Sequence, residues 1–175
     1  MADVPDRLTL KRNRDLAGIS NVPWSRRGIL SLILVFLVLG LVNVFGQRPG
    51  TSSATAAKAK LEVYAPAHLR GGLLFSARFH VYAKQDVKNA ILILDSGWLE
   101  SMAVNTIEPS PVGEASADGR LTLQLGHIPK GASHILFMQF QVNPTNVAWR
   151  RSAGVELADG STPLLHVRHH FTIYP

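Results

Sequence analysis

The sequence has no cysteine among its 175 residues, and only 17% of its residues are charged. Without cysteine the chain cannot be a disulfide scaffold, bind a metal through thiolates, hold an iron–sulfur cluster or use a cysteine nucleophile. A soluble domain usually carries about a quarter charged residues. The low charge, together with a hydrophobic fraction of 46%, therefore indicates a local concentration of apolar residues.

Residues 28–46, GILSLILVFLVLGLVNVFG, contain no charge, and their only polar side chains are Ser31 and Asn43. A helix of this length covers roughly 28 Å at about 1.5 Å per residue, close to a hydrocarbon core of about 30 Å. The segment is apolar all round, whereas a buried helix of a soluble protein needs only one apolar face. We therefore predict a transmembrane helix over residues 28–46.

Basic residues are more numerous before this segment than after it. Residues 1–27 carry six lysines and arginines, and residues 47–60 carry three. Because cytoplasmic flanks are enriched in Lys and Arg, we expect a cytoplasmic amino terminus, a single pass through the plasma (inner) membrane and an extracytoplasmic carboxy-terminal part. Residues 1–27 are polar and too few to bury a core, which predicts a disordered basic cytoplasmic tail. The transmembrane helix makes the lipid bilayer an expected partner of the chain.

Two processing signals offer alternatives to a permanent anchor. The sequence around Arg26-Arg27 is similar to a twin-arginine export signal, and residues 54–56 have the small-x-small pattern of a cleavage site. The apolar run is longer and more hydrophobic than such signals usually have. An uncleaved signal-anchor is the favoured interpretation, and cleaved export remains the alternative.

The remaining chain has the pattern of one β domain. Residues 47–60 are small and polar and are interpreted as a linker, which leaves residues 61–175 for the domain. Within residues 73–84, apolar residues alternate with Leu74, Ser76, Arg78, His80 and Tyr82, which is the period of a strand with one buried face.

Similar runs, separated by turn residues, predict seven or eight antiparallel strands. The expected strands are 61–65, 73–84, 88–95, 102–108, 120–125, 136–142, 154–157 and 164–174. In about 115 residues this number of strands favours two packed sheets. The predicted fold class is all-β, an antiparallel sandwich after one transmembrane helix.

Residues 121–133, LTLQLGHIPKGAS, are followed by another alternating strand. They resemble the strand, Leu-Gly-x-Ile-Pro-x-Gly, strand hairpin of bacterial immunoglobulin-like modules of the CARDB kind. The resemblance implies an Ig-like sandwich without catalytic activity of its own. The chain departs from antibody domains because it lacks their cysteine pair and their inter-sheet tryptophan, and Trp98 is expected to end a strand.

Seven histidines all lie in the predicted domain, at positions 68, 80, 127, 134, 166, 169 and 170. Histidines can bind metal or titrate near neutral pH. On a strand over residues 164–174, however, His166 and His170 would lie about 13 Å apart, and His169 would face the other side. We therefore predict no metal site and no cofactor, with a histidine-dependent, metal- or pH-responsive domain as the alternative.

Two predicted strands carry basic and aromatic residues on their outward faces. If the strands share a sheet, these residues form one patch that could bind an acidic partner, an anionic polymer or lipid headgroups. The alternative is an ordinary solvent-exposed sheet face without a binding role. The candidate partner-binding residues are Arg78, His80, Tyr82, His166, Arg168, His170 and Tyr174. Small and polar residues of the span, Ser31, Gly40 and Asn43, are candidates for intramembrane helix contacts.

No serine-hydrolase elbow, zincin motif or P-loop occurs in the sequence. We therefore predict a non-enzymatic accessory or interaction module of the cell envelope, with a hydrolase of unrecognised site as a further alternative. Its expected partner is another membrane or envelope protein. Residues 47–175 carry 12 Lys+Arg against nine Asp+Glu, which together with the expected location argues against a nucleic-acid partner.

Overall fold

A computed structural model describes residues 22–42, residue 44 and residues 47–175. Helix α1, Val22–Leu41, belongs to one unit of the chain and the strands belong to another. Within α1, residues 24–41 are long and apolar enough to cross a membrane once, as a signal sequence near the amino terminus also would be. The helix begins at Val22 instead of 28 and ends at Leu41 instead of 46. The predicted disordered tail, residues 1–27, is wrong for residues 22–27, which belong to α1; residues 1–21 and Asn43 lie outside the described residues.

Within residues 47–175 the chain forms thirteen strands, and their bounds follow in chain order. They are β1 Pro49–Thr55, β2 Ala59–Pro66, β3 His68–Arg70, β4 Leu74–Ala83, β5 Val87–Leu94, β6 Met102–Glu108, β7 Gly113–Ala117, β8 Arg120–Ile128, β9 Ser133–Val142, β10 Ala148–Ser152, β11 Val155–Asp159, β12 Thr162–Val167 and β13 His170–Tyr174.

These strands make three sheets. Sheet 1 has the order β1-β2-β4-β9-β6, sheet 2 the order β12-β11-β5-β8-β7, and sheet 3 the order β10-β13-β3. The strand pairs are antiparallel except β13 with β3, which is parallel. The predicted all-β sandwich with one apolar helix before it is confirmed. The predicted number of seven or eight strands is wrong, since there are thirteen within residues 47–175, and one strand pair is parallel where all were expected to be antiparallel.

The core follows from the two-residue period of the strands. In β4, Phe75, Ala77, Phe79 and Val81 are buried while their neighbours along the strand are not. Sheet 2 contributes buried apolar residues to the same core cluster, as do β3 and β13 of sheet 3. The predicted alternation is thus right for β4, except that Leu73 lies outside the strand and is 48% exposed.

The predicted linker over residues 47–60 is a part of the sandwich. Strand β1 pairs with β2 along its whole length, from Pro49 opposite Pro66 to Thr55 opposite Lys60, and Ala54 packs against the core. An edge strand of serine, threonine and alanine lacks the strong apolar alternation by which strands are found in a sequence. The domain therefore begins with β1 and not at residue 61.

The expected single strand over residues 164–174 is wrong. It divides into β12, at an edge of sheet 2, and β13, in the centre of sheet 3. The chain leaves one sheet and joins the other at Arg168 and His169, because the His169 side chain turns into the interior, where it is 4% exposed.

The segment that resembles a CARDB hairpin does not form a hairpin here. Strand β8 belongs to sheet 2 and β9 to sheet 1, so the turn at Pro129–Gly131 carries the chain from one sheet to the other. Gly131 has a positive φ of 82°, a conformation that glycine adopts without the steric cost of a Cβ atom. The motif correctly predicted two strands joined by a turn. It did not predict that the two strands belong to different sheets.

Sheet 3 lies at the end of the sandwich where β1 begins. Strand β3 connects Pro66, at the end of β2, to Leu74, at the start of β4, and Pro49 pairs with Pro66. We call this the entry end, because the chain enters the β domain there. The inward residues of sheet 3, among them Leu69, Phe171 and Ile173, are buried in the core.

Candidate binding surfaces

The seven residues of the predicted partner-binding patch do not share a sheet. Arg78, His80 and Tyr82 lie on β4 of sheet 1, whereas His166 lies on β12 of sheet 2. The remaining three, Arg168, His170 and Tyr174, lie at or next to β13 of sheet 3. The condition for one continuous patch, two strands in one sheet, is therefore not met, and the residues belong to separate surfaces.

The three residues of β4 take part in a larger surface on the outer side of sheet 1. Strand β4 is paired with β2 on one side and β9 on the other, which sets side chains of the three strands next to each other in rows. One row is Tyr64, Arg78 and Phe137; the next is Glu62, His80 and Ile135; the third is Lys60, Tyr82 and Ser133. We call these three rows the tyrosine face.

Several large apolar side chains of the tyrosine face are open to solvent. Phe137 is 51% exposed, Tyr82 41%, Ile135 39% and Tyr64 37%. Residues directly opposite each other in an antiparallel pair have Cβ atoms about 5 Å apart, so these side chains form a contiguous patch. Contiguous exposed apolar surface on a soluble face is typical of a binding site for another molecule.

Charged groups are interspersed with the aromatic residues. The Arg78 guanidinium lies over the Tyr64 ring at 4.9 Å from its centroid, a cation–π geometry. Lys60 pairs with Glu62 at 2.6 Å, and His80 Nδ1 lies 3.7 Å from the same carboxylate. The hydrogen bond and charge of Lys60 lower the pKa of Glu62, with His80 adding to the effect.

A shallow cleft of about 290 Å³ lies among Lys60, Glu62, His80, Tyr82 and Lys84. His80 Nε2 is buried and has no hydrogen-bond partner in the described part of the chain. An unpaired buried nitrogen is costly, so a ligand group that bonds to it would gain free energy. The cleft gives the tyrosine face a polar recess beside its apolar rows.

His166 belongs to a polar cluster on sheet 2. Its Nε2 lies 3.5 Å from Asp95 Oδ2, and Arg120 Nη2 lies 3.3 Å from Asp95 Oδ1. A Cβ atom on Gly154 would overlap the side chains of both His166 and Asp95. Glycine at position 154 therefore makes the pairing possible, and His166 belongs to this local polar cluster and not to the surface of β4.

His170 and Tyr174 lie on the outer face of sheet 3. Because β13 and β3 are parallel, His68 and Arg70 are opposite Thr172 and Tyr174 on this face. The His68 and Tyr174 rings are stacked at 6.0 Å, and His68, Arg70 and His170 are exposed. This second surface is basic and aromatic, as the sequence predicted for the patch as a whole, but it contains no residue of β4.

Trp98 is the centre of the core, contrary to its expected place at a strand end. It lies in a short 3-10 helix, Ser96–Trp98, is fully buried and donates a hydrogen bond from Nε1 to the Ala153 carbonyl at 3.0 Å. Its indole packs against three phenylalanines and one histidine. These are Phe79 at 5.2 Å, Phe140 at 5.5 Å, Phe171 at 4.8 Å and His169 at 5.8 Å between ring centroids.

The carboxylates on either side of the loop between β6 and β7 lie in different sheets. Glu108 ends β6 of sheet 1, and Glu114 lies on β7 of sheet 2. Ser116 and Glu114 border an open groove of about 310 Å³ between these edges. Among the described residues, no three His, Asp or Glu side chains are grouped so that they could hold a metal ion.

No known family model and no curated protein matches the chain. Among the surfaces of the β domain, the tyrosine face combines three exposed aromatic residues, Tyr64, Tyr82 and Phe137, with a polar cleft.

Two of the intramembrane candidates can be placed on α1. Ser31 and Gly40 are both exposed in the helix. Successive residues of an α-helix are rotated by about 100° around its axis, so Ser31 and Gly40, nine positions apart, lie on opposite sides of the helix. They cannot belong to one contact stripe, so a helix partner would meet one of them at most.

Proposed function

We propose that the chain is a membrane-anchored, non-enzymatic interaction module, with α1 as an uncleaved anchor and the β sandwich outside the membrane. The length and apolarity of α1 support the anchor. The six basic residues before residue 28 support a cytoplasmic amino terminus. The strand, turn and strand that contain residues 121–133 keep the order of the CARDB motif, although they join two sheets. The resemblance supports an Ig-like sandwich without catalytic activity of its own.

The tyrosine face is the proposed binding surface, and its contiguous exposed aromatic residues carry the proposal. Tyr64, Tyr82 and Phe137 would each bury apolar area against a partner, at about 25 cal/mol per Å². Tyrosine and arginine are also the residue types that most often dominate binding energy in interfaces. Arg78, stacked on Tyr64, therefore lies where a central anchor of an interface is expected.

The charges of this surface favour a partner with acidic groups around an apolar patch. Glu62 is already paired with Lys60. Lys84 lines the cleft, and Arg78 lies in the row next to that of His80. A carboxylate of the partner can accept hydrogen bonds from them and approach His80. We propose another membrane or envelope protein as that partner.

The anchor is tested by placing tags at both ends of the chain and separating membranes in alkaline carbonate. An anchored chain keeps both tags on one polypeptide and stays with the membranes. Loss of the amino-terminal tag from the mature chain would instead establish cleaved export.

The binding surface is tested with a photoreactive amino acid at Ile135 in otherwise unchanged membranes. We expect one adduct of defined mass, and we expect Phe137→Ser to weaken it several-fold by removing an aromatic contact. Val112→Ser is the matched control, because Val112 is 78% exposed and lies in the loop before β7. An adduct that Phe137→Ser and Val112→Ser affect equally would contradict the proposal.

A further inference from the structure

The entry end of the sandwich carries a second exposed surface that the tyrosine face does not include. It consists of the outer face of sheet 3 with the adjoining bulge and turns. Its residues, which we call the basic end surface, are His68, Arg70, Leu73, Leu74, Val147, Trp149, Arg150, Arg168, His170 and Tyr174.

This surface has positive charge without acidic residues. No Asp or Glu occurs in residues 63–85, 119–155 or 160–175, the segments that contain all three strands of sheet 3. Arg151 is the inward-facing arginine of β10 and is bound to Glu100. Arg70, Arg150 and Arg168 are exposed, and no carboxylate lies within ion-pair distance of them in the described residues.

Apolar and aromatic side chains project from the same end. Trp149 is 79% exposed and Val147 62%, while Leu73 and Leu74 are each 48% exposed. The β10–β13 pairing is irregular between Ala148 and Arg151, and Arg150 has a φ of 50°. The local bulge thus turns Trp149 away from the ladder, and a non-glycine residue holds a left-handed conformation there.

The position of this surface along the chain indicates what it faces. Strand β1 starts at Pro49, at the entry end, and only residues 42–48 separate it from Leu41, the last residue of α1. Seven residues span at most about 25 Å when fully extended. If α1 is the anchor, as proposed above, this short connection tethers the start of β1, and with it the entry end, to the membrane.

We propose that the basic end surface binds the anionic headgroups of the bilayer that α1 crosses. Arginine guanidinium groups form bidentate hydrogen bonds with phosphate oxygens. Trp149, with Val147 beside it, has the amphipathic chemistry that places tryptophan at membrane interfaces. Leu73 and Leu74 add apolar contact with the region below the headgroups. This inference rests on the proposed anchor but not on the proposed partner of the tyrosine face.

The test uses the full chain in vesicles of phosphatidylcholine, with or without phosphatidylglycerol, made from normal or brominated lipids. The chain has three tryptophans, at positions 24, 98 and 149. Trp24→Phe removes the one in α1, and Trp98 is buried, so Trp149 supplies the lipid-sensitive emission. We expect bromine quenching in the Trp24→Phe chain that is strongest with phosphatidylglycerol and is lost when Trp149→Phe is added.

The charge requirement has a matched control at the opposite end of the domain. Arg70→Glu with Arg150→Glu should decrease the quenching and shift Trp149 emission to longer wavelength. Lys88→Glu with Lys130→Glu makes the same charge change near the far turns and should leave both unchanged. The inference would be overturned if the two double variants had equal effects. It would also be overturned if bromine did not quench Trp149 in anionic vesicles while an aqueous quencher did.

Two further readouts separate the remaining outcomes. Flotation of the chain with vesicles after carbonate treatment depends on the anchor alone. A chain that floats but whose Trp149 is not quenched overturns only the lipid-binding inference. A chain that no longer floats overturns the anchor. Contact with a second copy would instead make Trp149 protection rise with the protein-to-lipid ratio and persist without phosphatidylglycerol, which would also overturn lipid binding. Thermal unfolding of each variant confirms that the domain is folded.

Discussion

At the scale of single residues, Trp98 connects sheet 1 and sheet 3 in the core. It contacts Phe79 and Phe140 of sheet 1 and Phe171 of sheet 3, and its indole nitrogen bonds to Ala153. Gly97 lies so close to Ser152 that a Cβ atom would overlap the Ser152 carbonyl oxygen. The Ser-Gly-Trp sequence therefore places a large ring at the core through a turn and not through a strand.

The Trp98→Ala variant should lower the free energy of unfolding by about 3–5 kcal/mol, because it removes a fully buried aromatic side chain and leaves a cavity. Trp149→Ala is the control, and its largely exposed side chain should cost no more than about 0.5 kcal/mol. Denaturant unfolding of the full chain in detergent measures both. Similar losses for the two variants would contradict the assignment of Trp98 to the core.

His169 makes stability depend on pH. Burial lowers the pKa of its imidazole, the Pro66 carbonyl opposes this and His170 adds to it. Because the folded pKa lies below the unfolded value of about 6.5, the unfolded chain binds the proton more readily. Stability is therefore complete above that value and is lost as the pH falls through the folded pKa.

We expect the free energy of unfolding to decrease between pH 7.5 and pH 5, and the decrease to be smaller in His169→Gln. Burial also lowers the pKa of His134, so the His134→Gln variant serves as a comparison and should remove a separate part of the decrease. Denaturant unfolding at several pH values gives the slope. An unchanged slope in His169→Gln would show that this imidazole does not titrate on unfolding.

At the scale of elements, strands with strong alternation were predictable and weak or irregular ones were not. The expected strand over residues 102–108 coincides with β6, and the strands near β4, β5 and β9 differ from expectation by a few residues. Strands β3, β7 and β10 were not predicted, because none of them has an alternation of apolar residues. β3 has only three residues, β7 consists mostly of small residues, and β10 is an edge strand with a bulge. The division between β12 and β13 depends on His169 packing beside Trp98, a contact between distant residues.

The inclusion of β1 in the sandwich has a direct test. Ala54→Asp should destabilise the domain by about 1–3 kcal/mol, because Ala54 packs against the core opposite Leu61 and the carboxylate would lose its hydration. Thr55→Asp is the control, since Thr55 is exposed and opposite Lys60. Denaturant unfolding in detergent distinguishes them. A flexible linker would tolerate both changes equally.

At the scale of the whole molecule, the sequence indicated an apolar segment followed by a β sandwich, and both are present. It did not indicate how its functional residues are grouped. The patch on β4 was correctly placed on an outward face, but its neighbours Tyr64, Ile135 and Phe137 come from β2 and β9. Which strands are adjacent in a sheet is decided by long-range pairing, which residue periodicity does not contain.

The absence of cysteine makes the topology easy to measure with single introduced thiols. A membrane-impermeant maleimide should label Val112→Cys in intact cells, because Val112 is exposed in the β domain. Ala2→Cys should be labelled only after lysis if the amino terminus is cytoplasmic. Labelling of Ala2→Cys in intact cells, or a mature Val112→Cys chain lacking its amino terminus, would contradict the anchored orientation.

The parallel pairing of β3 with β13 also constrains when the domain can fold. It joins His68 to Thr172, so Phe171 and Ile173 enter the core only after about a hundred intervening residues are in place. If the β domain crosses the membrane in chain order after α1, β1 to β12 leave the channel before β13 does and before their core is complete. Contacts of such long sequence separation form slowly, and the exposed apolar strands need protection from aggregation until β13 arrives.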